Sequence, residues 1–129
     1  MELKEYQKKT VEQVKSYLEA LVDFKAKSEK ARDIDPDLSI DFPLKAWEKA
    51  IKGPYYSKKN GVGEDLPSFY LKIPTGGGKT LLACHAIDLI NRIYLKRQTG
   101  IVLWIVPTTQ IYRQTITNLT ELLHFLTVP

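Results

Sequence analysis

Three consecutive glycines followed by Lys-Thr, in Pro74-Thr75-Gly76-Gly77-Gly78-Lys79-Thr80, constrain this chain more than any other feature. A glycine run cannot extend a helix or strand without loss of stability, and it frees the backbone for positive φ. The flanking residues give the run its meaning. Phe69, Leu71 and Ile73 alternate with Tyr70 and Lys72 at the period of a strand, which Pro74 ends. From Lys79 the period becomes helical, carrying Leu81, Leu82, Ala86, Leu89, Ile90 and Ile93 until Gln98-Thr99-Gly100 breaks it. Strand, glycine loop and helix in that order are the setting of a phosphate-binding loop. Gly76, Gly77 and Gly78, with Thr75, would let several N–H groups wrap a polyphosphate, because no Cβ blocks the approach. The helix start adds unpaired N–H groups and the positive end of its dipole. Lys79 would neutralise the β and γ phosphates, and the Thr80 hydroxyl would coordinate Mg²⁺. The strict pattern G-x-x-x-x-G-K-S/T puts Ile73 at its first glycine, a departure of one residue. The plain alternative is a glycine turn in which Lys79 and Thr80 are incidental.

The rest of residues 66–129 continues the alternation. Ile101-Val102-Leu103-Trp104-Ile105-Val106 is apolar without alternation, the pattern of a strand buried on both faces of a parallel sheet. Pro107 closes it, and Thr108 or Thr109 can cap a last helix through Ile111, Thr115, Leu119, Leu122, Leu123 and Leu126. The expected class is α/β, a partial parallel sheet flanked by helices. Tyr70, Trp104 and Tyr112 read as core or boundary aromatics, the alternative being platforms on which bases stack. Residues 1–65 read as an N-terminal helical extension. Leu3, Tyr6, Val14, Tyr17, Leu18, Leu21 and Phe24 recur at helical steps. The charged residues 25–41 should form a solvated helix end running into a loop, and Pro43 should open a short helix stopped by Gly53-Pro54. Tyr55 to Pro67 reads as loop, with Asn60-Gly61 as its turn.

Composition narrows the function. The 129 residues hold 19 Lys+Arg against 15 Asp+Glu, and the whole excess lies after residue 65, which permits an anionic partner. The longest apolar run, residues 101–106, is far short of the roughly 20 residues that span a bilayer. The start Met1-Glu2-Leu3-Lys4-Glu5 has none of the features of a signal peptide, so a cytoplasmic location and no membrane partner are expected. One cysteine, Cys84, with His85 and His124, is too small a set for a structural zinc site.

Pro74-Thr75-Gly76-Gly77-Gly78-Lys79-Thr80 resembles the first motif of superfamily 2 helicases and DNA translocases. Pro107-Thr108-Thr109-Gln110-Ile111-Tyr112-Arg113-Gln114 is similar to the family's motif Ia, and Leu3-Lys4-Glu5-Tyr6-Gln7 to the aromatic-glutamine start upstream of motif I. The surrounding wording most resembles the restriction subunit of type III restriction–modification systems and its DEAD/DEAH-box relatives. The resemblance implies a RecA-like P-loop NTPase fold with ATP and Mg²⁺ as cofactors. It gives Lys79 and Thr80 a catalytic part. It also implies that Gln7 reads adenine and that Thr108 and Gln114 contact the nucleic-acid backbone. Double-stranded DNA, further motor domains and a Mod-type methyltransferase subunit are the implied partners. On residues alone, Gln7 reads as a solvent-facing polar position of an amphipathic helix, and Thr108 as either a helix cap or a phosphate contact.

Hydrolysis in that family also uses an acidic pair at the end of another strand. The only acids after Asp65 are Asp88 and Glu121, both in expected helices. The two expected strands are not neighbours in the implied sheet. The chain therefore reads as the first part of a motor domain, either a piece of a larger product or a truncated remnant, with negligible turnover alone. The alternatives are an interaction module whose loop no longer binds nucleotide, and a P-loop kinase using Lys79 and Thr80 in the same parts.

Overall fold

A computed structural model describes residues 2–74, 76 and 78–127, with side chains described as far as Glu121. Four helices and one small hairpin make up its regular structure. Helix α1 spans Glu5–Ile34 and α2 spans Phe42–Ala50. The two-residue strands β1, Lys58–Lys59, and β2, Asp65–Leu66, pair antiparallel. Helix α3, Lys79–Leu89, continues into a π-helical turn, Ile90–Leu95, and α4 spans Thr109–Thr127.

Helix α1 runs ten residues beyond Phe24, through the charged stretch. Lys, Glu, Arg and Ala are good helix formers, and Pro36, not the charge, sets the stop. The Asp35 N–H bonds to the Ala31 carbonyl, and the Asp35 carboxylate accepts from the Asp37 N–H. The chain then turns so that α2 packs on α1. Asp41 caps α2 by accepting from the Leu44 N–H at 3.1 Å, with Pro43 in the first turn. The hairpin is centred on the Asn60-Gly61 turn anticipated from sequence, and the Asn60 carboxamide accepts from the Val62 and Glu64 N–H groups.

The core lies where α1, α2 and α3 meet. Val14, Tyr17, Leu18 and Leu21 of α1 pack with Phe42 and Ala46 of α2 and with Ala86 and Leu89 of α3. The Tyr17 ring meets Trp47 and Phe69 edge to face, at centroid distances of 5.3 and 5.8 Å. Its hydroxyl is buried and makes no hydrogen bond of ordinary geometry among the described residues. Burial first, and the neighbouring Tyr55 phenol second, hold its pKa well above the usual tyrosine range. An unpaired buried hydroxyl costs about 1 kcal/mol or more, so Tyr17→Phe should leave stability unchanged or raise it by up to about 1 kcal/mol in urea denaturation. A clear loss would instead assign that hydroxyl a bond.

The expected parallel sheet does not form among the described residues. Neither 69–73 nor 101–106 is a strand, and the only ladder is the short antiparallel hairpin. A strand is defined by its partner, and neither segment has one to take its N–H and C=O groups. The consequence is plain in residues 101–106, where Leu103 and Ile105 are 84% and 83% exposed in place of the expected burial on both faces. Tyr70, expected at the core or its boundary, is 83% exposed, and Tyr112 is exposed as well. Phe69 alone in its segment packs against the core.

Candidate functional site

Helix α3 starts at Lys79, directly after the glycine run. Its N-cap is Gly78, which lies in the left-handed region at φ +79°, as does Gly76 at φ +77°. These are conformations that glycine adopts without strain and other residues do not. No side chain among the described residues caps α3, and its ladder begins with the Leu82 N–H donating to the Gly78 carbonyl at 3.0 Å. The N–H groups of Lys79, Thr80 and Leu81 precede that bond and have no partner within the helix. Lys79 is exposed and Thr80 half-buried. A Cβ on Gly76 would meet open space. Thr75 and Gly77, the other loop residues singled out from sequence, lie outside the described residues.

Tertiary packing brings Gln7 to this loop. Gln7, expected on residues alone to face solvent, is only 6% exposed, and a Cβ on Gly78 would stand 2.6 Å from its Nε2. The other end of the carboxamide is held, because Oε1 accepts from the Lys4 N–H at 2.9 Å across the first turn of α1. Its Nε2 also lies 3.5 Å from the Tyr6 hydroxyl. Gly78 is therefore glycine for two reasons, its φ and the amide lying against it. Sequence spacing carries no sign of this contact, since it joins the start of α1 to the start of α3.

Thr108 and Gln114, the residues with an expected nucleic-acid contact, are arranged differently. The Thr108 hydroxyl accepts from the Ile111 N–H at 3.2 Å, so Thr108 caps α4. Gln114 is exposed on the helix, and α4 packs against α3. Asp88, one of the two late acids, is bound twice by Arg92 one turn on, at 3.0 and 2.8 Å. Cys84 is buried in α3, and burial raises its thiol pKa. No group of three or more His, Cys, Asp or Glu side chains able to hold a metal occurs among the described residues. None of the helices among them is long and apolar enough to cross a membrane.

The loop's features suit a polyphosphate: two left-handed glycines, uncapped helix N–H groups, a free-standing lysine and a hydroxyl one residue on. Elsewhere on the surface, Trp47, Tyr55, Tyr56 and Tyr70 line one cleft, with the Trp47 and Tyr55 rings 5.5 Å apart. Its only sequence signal is the density of aromatics around residues 47–70.

A family model for the type III restriction enzyme, res subunit, matches residues 1–127. No curated protein and no solved structure matches the chain.

Proposed function

The chain belongs to the family of type III restriction enzyme res subunits, and from that premise we propose that residues 74–80 bind ATP with Mg²⁺ for a helicase-like motor. The observation that carries this reading is the left-handed Gly78 opening an uncapped α3 with the Gln7 amide against it. In this reading residues 66–129 are the first part of a P-loop ATP-binding domain, and residues 1–65 the helical region that delivers Gln7.

Each residue then has a part set by its chemistry. The N–H groups at the start of α3 hold phosphate oxygens, and Lys79 supplies a compensating charge on the β and γ phosphates. The Thr80 hydroxyl is a ligand for Mg²⁺, which would neutralise charge on the phosphates. Gln7 reads the adenine edge with a carboxamide that both donates and accepts. Thr108 keeps its own hydroxyl proton while capping α4, so it donates to a DNA phosphate without leaving the cap. Gln114, exposed on the same helix, contacts the backbone beside it. Duplex DNA and a Mod-type methyltransferase subunit are the partners this family reading supplies, and the cytoplasm is where they meet.

Titration with a fluorescent ATP analogue in Mg²⁺, wild type against Lys79→Ala, tests the reading. Charge-assisted bonds to phosphate are worth about 1.5–3 kcal/mol, so the variant should bind about tenfold or more weakly, with an unchanged circular dichroism spectrum. Equal affinity in the two proteins removes Lys79 from the site. No binding by either supports the other reading, an interaction module whose loop no longer takes nucleotide.

A further inference from the structure

Away from the phosphate loop, α1, the hairpin and the π-helical turn enclose a cleft of about 420 Å³, within the size range of small-molecule sites. Helix α1 contributes Lys25, Ser28, Glu29 and Arg32, whose steps of three and four residues put them on one face. Glu64 and Asp65 enter from the end of the hairpin, and Phe42 and Tyr94 add aromatic surface. Neither residues 69–73 nor residues 101–106 line it.

The protein itself uses the charged groups of this cleft only in part. Asp65 pairs across the hairpin with Lys59, whose ammonium meets its Oδ1 at 2.9 Å. Its side chain is only 6% exposed, and its Oδ2 has no hydrogen-bond partner among the described residues. Glu64 is held in the same way, since its Oε2 accepts from Asn60 Nδ2 at 2.8 Å while its Oε1 accepts nothing among them. A carboxylate offers about four lone-pair sites, so a buried one with a single partner keeps capacity for a further donor. On α1, the Lys25 ammonium lies 5.1 Å from the centroid of the Tyr94 ring. Arg32 is exposed and in no ion pair among the described residues.

The balance of charge selects the ligand. With Lys59 counted, Lys25, Lys59 and Arg32 stand against Glu29, Glu64 and Asp65, and the cleft is neutral. A simple anion drawn to Arg32 meets the carboxylates as well, and a simple cation drawn to Asp65 meets the lysines and the arginine. A molecule that carries both charges satisfies both groups at once. An α-amino acid does so: its ammonium brings three donors, and its carboxylate matches the planar fork of a guanidinium. The rings of Phe42 and Tyr94 favour an apolar side chain.

We propose that this cleft binds a free amino acid with an apolar side chain, its ammonium on Asp65 and Glu64 and its carboxylate on Arg32. The site is separate from the phosphate loop and needs no nucleotide.

The test is isothermal titration calorimetry of the full chain, without ATP, against L-leucine, 4-methylpentanoate and 3-methylbutylamine. The second probe is leucine without its ammonium, and the third is leucine without its carboxylate. A charge-assisted hydrogen bond is worth a factor of about ten or more, so each truncated probe should bind at least about tenfold more weakly than leucine. Arg32→Gln, at an exposed helix position, should weaken leucine about tenfold and 3-methylbutylamine not at all, because only leucine has a carboxylate to lose. Asp65→Asn keeps the shape of the hairpin pair and should weaken leucine by a similar factor, leaving 4-methylpentanoate no weaker. No leucine binding at millimolar concentration, equal affinity for leucine and either truncated probe, or full leucine affinity in Arg32→Gln would each overturn the proposal. Because the assay contains no nucleotide, failure of ATP binding at Lys79 leaves its outcome untouched.

Discussion

Gly78→Ala should cost the chain about 2–3 kcal/mol of stability and weaken nucleotide binding with it. Two separate terms add. An L-residue at φ +79° costs roughly 1–2 kcal/mol against the Cβ–carbonyl clash of the left-handed region. The new Cβ also meets the Gln7 amide at 2.6 Å. That amide is the end of a flexible side chain, but moving it strains the Oε1 bond to the Lys4 N–H, worth about 1 kcal/mol. Urea denaturation of Gly78→Ala, Gln7→Ala and the double variant separates the terms. In the Gln7→Ala background the glycine substitution should cost only its φ term, so the double variant is less destabilised than the sum of the singles. Additive losses would mean that the two side chains do not touch, and no loss in Gly78→Ala would mean that residue 78 is not left-handed.

A larger loss is expected from Leu21→Ala. Leu21 is almost completely buried between α1 and its neighbours, and emptying such a site costs about 2–5 kcal/mol. Against a total near 5–15 kcal/mol for ordinary domains, that is a large part of the fold's stability. Leu103→Ala is the informative companion. The sequence pattern places Leu103 inside a buried strand, where the same truncation would cost as much as at Leu21. The structure leaves it exposed, so the loss should stay within about 0.5 kcal/mol. Equal losses at the two positions would mean that residues 101–106 are buried in solution. A small effect at Leu21 would displace the core from the α1–α2–α3 junction.

The contrast between these two leucines marks the boundary of what local pattern carries. Helices α1, α2, α3 and α4 follow from apolar periodicity and from local punctuation: Pro36, Asp41-Phe42-Pro43, the glycines before Lys79, and Thr108. A helix satisfies its own backbone, so residues within one turn decide it. The loop at Gly76–Thr80 is legible for the same reason, because left-handed glycines and an uncapped helix start are properties of a few adjacent residues. Residues 69–73 and 101–106 carry strand patterns equally clear, yet a strand is completed only by a partner strand, and no local pattern supplies one. The contact of Gln7 with Gly78 likewise has no local pattern behind it. Only the packing of α1, which seats its first turn against the start of α3, puts that amide on Gly78. Sequence alone determined the helices and the glycine loop, whose hydrogen bonds close within a few residues. Tertiary structure decided the pairing of strands and the company each side chain keeps, because both depend on groups far apart in the chain.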